Sequence, residues 1–376
     1  MPAFVREPLP KARAILLSGE HPTLPAAELR ALLDVHDPRA TVQLQGLVAV
    51  VVPGDPAGTD LALSRMALAH EWGELWAQAP ETEAGLAHLA SLVRVSAKWG
   101  EGTAAVVSQR RGTGKALDRS AVERGLGAAL AEAGHAIDLA LPATVVFAWL
   151  LDGRIVCGLR RGLNDRGRFE ARASDERDHF SPVSMHPRRA ASLLHLARVP
   201  PGGRVYDPFC GTGGFVLEAA LEGYDAWGSD LDAFMVQGTL QTLADAGPEP
   251  LAGSAVVADI GDAPGLVDGV DGIVTDFPYG RASGTEGEEL RSLYQRAFAA
   301  FAALLPPGGR AVVGHPDPDL LQGVEAHGFR VEERHAERVH RSLTRHYAVL
   351  VRGEGLSASG AGGRGLVAGQ PPTKRP

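Results

Sequence analysis

From Arg204 onward, short apolar runs recur at intervals that leave room for a helix between them, and this alternation confines the C-terminal half to few folds. Strand-like runs fall near Arg204 to Tyr206, Ala226 to Ser229, Ala255 to Ala258, Gly272 to Thr275 and Arg310 to Gly314, with helices between most of them. Two further extended runs, Phe329 to Arg334 and His346 to Arg352, follow a helix expected over Leu320 to Ala326. Parallel neighbours need long crossovers, whereas the last two runs are close enough to pair directly. The pattern predicts an α/β fold with an open, seven-stranded, mostly parallel sheet and an antiparallel edge.

The N-terminal half reads as smaller α+β units. Arg13 to Ser18 is apolar, Ala26 to Leu33 has helical spacing, and Leu47 to Val52 is a β-branched run ending at Pro53-Gly54. A helix is expected over Asp60 to Ala69, N-capped by Thr59 or Asp60, and Leu92 to Lys98 reads as extended. Ser120 to Ala133 reads as a helix opened by a Ser120/Glu123 capping box. Thr144 to Leu151 and Arg154 to Leu159 flank Asp152-Gly153 and predict a hairpin. Arg160 to Pro187 is rich in charge, Gly, Ser and Pro without apolar periodicity, so a linker or long loop is expected there, before a helix from Pro187 to Ala197. The implied division is an α+β subdomain over 1–55, a second α+β domain over 56–165, a linker over 166–187, the α/β domain over 188–353 and a disordered Gly/Ser/Pro-rich tail over 354–376.

At 376 residues with 45% hydrophobic and 22% charged residues, the composition is that of a globular protein of two or three domains. No run is apolar enough for a bilayer and the first residues lack a secretory segment, so a cytosolic protein is expected. Cys157 and Cys210 form no CxxC, and His335, His340 and His346 have no metal-ligand spacing and read as exposed, so no metal is expected. Trp72 and Trp76, four apart, read as helix-packing or core residues, and Gly112-Thr113-Gly114-Lys115 fails as a phosphate loop because Gln109 and Ala116 break the pattern. A net charge of -8 favours nucleic acid only if basic residues gather locally. Two arginine clusters do so, Arg160, Arg161, Arg166, Arg168, Arg172 and Arg177, and then Arg330, Arg334, Arg338, Arg341 and Arg345; solvated faces explain each equally well.

The chemistry-bearing residues stand at strand ends. Asp207-Pro208-Phe209-Cys210-Gly211-Thr212-Gly213-Gly214 joins the first strand of the sheet to a helix, where glycines allow close backbone approach and the helix N-terminus favours a carboxylate. Val216 stands where a dinucleotide site wants Gly or Ala, which disfavours NAD. Asp230, ending the second strand, lies near the separation at which an acid receives ribose hydroxyls, and Asp259, ending the third, could receive an adenine amino group. The fourth strand ends in Asp276-Phe277-Pro278-Tyr279-Gly280. An exocyclic amine on a base is a poor nucleophile, and the Asp276 carboxylate with the Phe277 carbonyl can accept its two N–H bonds. Pro278 fixes the turn, and the Tyr279 ring can stack on an extruded base.

Residues Ser184 to about Arg352 resemble class I methyltransferases of Rossmann-like fold. The run DPFCGTGG, followed by GSDLD, AD and DxPYG, is similar to the archaeal and eukaryotic tRNA guanosine-10 N2-methyltransferase family, as is the opening LLSGEHPTLPAAELRALL. The resemblance implies an N-terminal THUMP-type RNA-binding region, S-adenosylmethionine as cofactor, tRNA as substrate and room for a small activating protein partner. It implies that Asp207, Phe209, Gly211, Thr212 and Gly213 line the cofactor, Asp230 and Leu231 its ribose side, Asp259 and Ile260 its adenine, and Asp276, Phe277, Pro278 and Tyr279 the target guanine. One departure stands out, since the family has DPPY where this chain has Phe277. The alternatives left open are an amino-methyltransferase acting on adenine in DNA or RNA, and a non-catalytic RNA-binding protein with a drifted site.

Overall fold

The computed structural model describes residues 12–97, 102–112, 116–172, 185–246, 251, 253–279, 289–340 and 343–354. In chain order the first half carries β1 (Arg13–Leu17), α1 (Leu24–His36), β2 (Thr41–Gln45), β3 (Val48–Val52), α2 (Pro56–Arg65), β4 (Ala69–Pro80), α3 (Glu83–Ser96), β5 (Thr103–Arg111), α4 (Arg119–Glu132), β6 (Ala136–Ile137), β7 (Thr144–Leu151), β8 (Arg154–Leu163) and α5 (Gly167–Glu170). The second half carries α6 (Pro187–Leu196), β9 (Arg204–Asp207), α7 (Gly214–Leu221), β10 (Asp225–Asp230), α8 (Ala233–Asp245), β11 (Gly253–Val257), α9 (Ala263–Leu266), β12 (Gly272–Asp276), α10 (Leu290–Leu304), β13 (Arg310–His315), β14 (Phe329–His340) and β15 (Leu343–Arg352).

The first-half strands form one sheet in the order β2-β3-β1-β4-β8-β7-β5-β6. It crosses residue 55 without a break, because β1 pairs with β3 on one edge and β4 on the other. The β7–β8 hairpin turns at Asp152 and Gly153, whose φ values of 48° and 75° are what a two-residue turn of this hand demands.

Several local expectations are corrected. Leu92 to Ser96 ends helix α3 instead of being extended, and Leu86, Leu89, Ala90 and Val93 supply its buried face, a helical period that the run Leu92-Val93-Arg94-Val95 disguised. Lys98, the end of the run expected as extended, lies outside the described residues. Helix α2 begins at Pro56 with Asp55 as N-cap and stops at Arg65, and Ala69 opens a strand. The capping box at Ser120 does not form: α4 starts at Arg119, and Glu123 instead accepts from the Ser108 amide and hydroxyl. Trp72 and Trp76 lie in the core but on strand β4, so their spacing reflects no helix. Strand β8 runs on to Leu163 and α5 follows, both inside the stretch expected as loop. A helix over Leu320 to Ala326 is replaced by two 3-10 turns, Pro318–Leu321 and Val324–His327, separated at Gly323. His335 is buried, its Nδ1 lying 2.7 Å from Thr23 Oγ1. Residues Thr113 to Lys115, Arg177, Arg341 and 355–376 lie outside the described residues.

The second sheet has the order β11-β10-β9-β12-β13-β15-β14, parallel through β13 and antiparallel at β15 and β14. Both faces are covered. Val205, Val274, Val312 and Val349 pack towards α6, α7 and α8, while Tyr206, Ile273, Ala311, Val313 and Leu350 pack towards α9 and α10. Alternate residues of the strands thus enter opposite cores, which is why these runs are apolar throughout.

The halves share a core. Leu24, Ala27 and Ala31 of α1 pack with Leu193, Leu194 and Ala197 at α6. Beside them Glu28, fully buried, accepts from the Ala67 and Leu68 amides at 2.7 and 2.8 Å and lies 2.8 Å from His195 Nδ1. Burial disfavours charge on His195, but Glu222 and Glu28 outweigh it and raise its pKa to about 9. Among the described residues no helix is long and apolar enough to cross a membrane.

Candidate active site

Three adjacent parallel strands deliver a carboxylate each to one rim: β9 ends at Asp207, β10 at Asp230 and β12 at Asp276. Strands β10 and β12 flank β9, so the winding of the sheet reverses between β9 and β12, the place where open α/β sheets bind ligands. Asp207 is buried, and its Oδ1 accepts from the Thr275 hydroxyl at 2.6 Å and the Phe209 amide at 3.1 Å. Burial pushes its pKa up to about 7, and the charges of Asp230 and Asp276 add to the rise. The three acids therefore stand along one rim of the sheet, close enough for their charges to act on one another.

The glycine loop leads from Asp207 into α7. Gly211 and Gly213 have φ of 51° and 83°, the left-handed region, and a Cβ at Gly213 would stand 2.8 Å from Thr239 Cγ2. The Gly211 amide donates to Asp230 Oδ2 at 2.9 Å, and the Asp232 amide donates to Oδ1 at 3.0 Å. Thr239 and Thr242 donate from α8 to the Gly211 and Thr212 carbonyls. Thr212 is buried, Phe209 half-buried, and Leu231 lies exposed beside Asp230. Apart from the glycines themselves, their chain neighbours and the backbone of α7, no described atom comes within 4 Å of where a Cβ on Gly211 or Gly214 would be, so one side of the loop is open.

Asp259 caps the 3-10 turn Ile260–Asp262 through the Gly261 amide and is ion-paired to Arg296 of α10. The Ile260 side chain turns away into the core beneath α10.

At the end of β12, Asp276 Oδ1 accepts from the Tyr279 hydroxyl at 2.7 Å, and Oδ2 lies 3.7 Å from Arg345 Nε of β15. Burial raises the Asp276 pKa, and Arg345 and the Tyr279 hydroxyl oppose the rise. The Arg345 guanidinium also sits 5.7 Å over the Tyr279 ring. Gly314 faces Asp276 in register on β13, and a Cβ there would stand 2.2 Å from Oδ1. The Phe277 amide donates to the Gly314 carbonyl at 3.0 Å, its ring is buried, and Pro278 is half-buried. Gly280 lies outside the described residues.

Sequence reading missed Thr275, Thr239, Arg345, Arg296 and Gly314. Two had a signal: Thr275 is a hydroxyl on an otherwise apolar buried strand, and Gly314 is a glycine near a strand's end, which marks close approach. The arginine clusters are largely engaged. Arg160 pairs with Glu71 at 2.6 Å, Arg172 with Glu218 at 2.9 Å and Arg161 with Glu74, while Arg161 and Arg166 keep roughly half their side chains exposed. Among the described residues no group of three or more His, Cys, Asp or Glu could hold a metal ion.

A family model described as the RMKL-like methyltransferase domain of UPF0020 matches residues 174–347. Over 339 residues the chain is 32% identical to the tRNA (guanine(10)-N2)-dimethyltransferase of Methanothermobacter thermautotrophicus, a match covering 90% of this chain and 98% of that protein. The chain belongs to the tRNA guanine-N2 methyltransferase family. It is also 31% identical over 289 residues to the tRNA (guanine(6)-N2)-methyltransferase of Thermus thermophilus, covering 76% of this chain and 75% of that one. The crystal structure of TrmN from Thermus thermophilus superposes with a TM-score of 0.54 at 26% identity, over 91% of this chain and 99% of the other. The cofactor of this family member is S-adenosylmethionine. The residues present fit it: the glycine loop is open on one side and leads into the N-terminus of α7, which would receive its carboxylate, and Asp230 beside the exposed Leu231 would hold its ribose.

Proposed function

We propose that this chain transfers a methyl group from S-adenosylmethionine to the exocyclic N2 amine of guanosine 10 in tRNA. What supports the reading is that the adjacent parallel strands β9, β10 and β12 end in Asp207, Asp230 and Asp276 at one rim, with the glycine loop following β9 and Phe277 following β12. The cofactor supplies a methyl group already activated on a sulfonium, so the protein's task is alignment. Asp276, faced by Arg345, serves as an acceptor for one amine N–H, and the Phe277 carbonyl serves the other. These acceptors stabilise the positive charge that grows on nitrogen as the bond forms.

Position 10 is favoured over position 6 because the relative named for guanine 10 aligns over 98% of its length, against 75% for the one named for guanine 6. In this reading the N-terminal half is a THUMP-type RNA-binding region that holds tRNA while the target base is extruded from its pairing. A tRNA substrate makes the cytoplasm the compartment we propose. The test is incubation of unmodified tRNA transcript with labelled S-adenosylmethionine, followed by nucleoside mapping. Label in N2-methylated guanosine at position 10 supports the proposal, and label in N6-methyladenosine overturns it.

A further inference from the structure

We propose that Tyr294 is a positioning residue, and that an aromatic stack running from Phe209 through Phe277 to Tyr294 replaces the rigidity a proline would give the amine-accepting turn. The inference rests on the transfer reaction proposed above. A proline after Asp276 would restrict φ through its ring and would have no N–H. Phe277 lacks that restriction, yet two contacts fix it. Its amide donates to the Gly314 carbonyl, which extends the β12–β13 ladder one residue into the active-site turn. Its ring, only 2% exposed, lies flat on Tyr294, with centroids 3.9 Å apart and an interplanar angle of 19°. Phe298 meets the Phe277 ring edge-on at 6.1 Å, and Phe209 packs against it, tilted by 44°, at 5.1 Å.

Phe209 belongs to the cofactor loop, and its amide is tied to Asp207. The stack therefore joins the residues beside the donor to the carbonyl that receives the acceptor amine. Their separation is then set by ring packing, which resists a shift of even a fraction of an ångström. Tyr294 contributes through its ring alone. It is fully buried on α10, and its hydroxyl has no hydrogen-bond partner among the described residues. A buried unpaired hydroxyl destabilises a fold, so replacing it by hydrogen costs nothing that the stack uses.

The experiment measures kcat, KM for RNA and cofactor affinity for Tyr294→Phe, Tyr294→Leu, Phe209→Leu, Phe277→Pro and the double variant Phe277→Pro/Tyr294→Leu, with thermal melting of each. Total methyl incorporation into unmodified bulk RNA is the activity readout, so that the ratios hold whichever base is modified. Tyr294→Phe should keep kcat within about twofold and melt no lower than the parent. Tyr294→Leu should lose about tenfold or more in kcat, with cofactor affinity nearly unchanged. In the Phe277→Pro background the same substitution should cost little, because the pyrrolidine then holds the turn. Phe209→Leu, at the half-buried end of the stack, should lower kcat as well and serves on that readout alone if Tyr294→Leu fails to fold, since Phe209 belongs to the cofactor loop. The proposal is overturned if Tyr294→Phe is as impaired as Tyr294→Leu, if folded Tyr294→Leu or Phe209→Leu keeps full kcat, or if the cofactor affinity of Tyr294→Leu falls in step with its kcat. A different modified base would refute the substrate assignment alone, whereas a parent protein that transfers nothing refutes both.

Discussion

Gly314→Ala tests the geometry of the amine acceptor most directly, because a single methyl group would enter the space of the Asp276 carboxylate. The added Cβ would stand 2.2 Å from Asp276 Oδ1, and about 1 Å more is needed for the ~3.3 Å at which carbon and oxygen meet. Strand backbone accommodates alanine, so the fold itself has little reason to object, and the strain falls on the carboxylate or on the Asp276–Gly314 pairing that carries it. Either movement displaces the acceptor by roughly the amount that costs about 10²-fold in rate, near 2.7 kcal/mol of transition-state stabilisation. Single-turnover methyl transfer at saturating cofactor is the assay, with calorimetric titration of S-adenosylmethionine as control. We expect the rate to fall about a hundredfold while cofactor affinity stays within about twofold. A variant that retains the parent rate would show that the position of Oδ1 does not limit the reaction.

Asp276→Ala should abolish transfer and leave calorimetric cofactor affinity largely intact; loss of both in parallel would remove Asp276 from the acceptor role. Asp207 ionises near 3.8 when exposed and near 7 in the fold, so its contribution to stability is complete below about pH 4 and is lost as pH rises through about 7. The melting temperature of Asp207→Asn relative to the parent should therefore climb between pH 4 and 7, and a constant difference would refute the shift. Glu28→Ala leaves two buried amides unpaired and deprives His195 of its nearest carboxylate, and should lower unfolding free energy by about 3–5 kcal/mol. Denaturant titration checks it, and a change under 1 kcal/mol would show that the α1–α6 contact does not depend on this network.

Much of the site was legible because turn chemistry and strand periodicity act over a few residues. The glycines at 211 and 213 announce a left-handed turn, and a strand-ending aspartate announces a rim, whatever the rest of the chain does. Arg345 lies far along the chain from Asp276, and nothing local marks it out from the other arginines of its cluster. Glu123 shows the converse, since its spacing from Ser120 suited a cap while the Ser108 amide and hydroxyl on a neighbouring strand became its partners.

By itself the amino-acid order determined a doubly covered parallel sheet with acids at its carboxyl ends, because side-chain alternation and chain direction are set by covalent connectivity. Tertiary packing alone decided that Phe277 would be held by Tyr294, that Gly314 would make room for Asp276, and that α1 and α6 would share one core. Those outcomes depend on which distant surfaces meet once apolar area is withdrawn from water, a driving force without direction that no local pattern records.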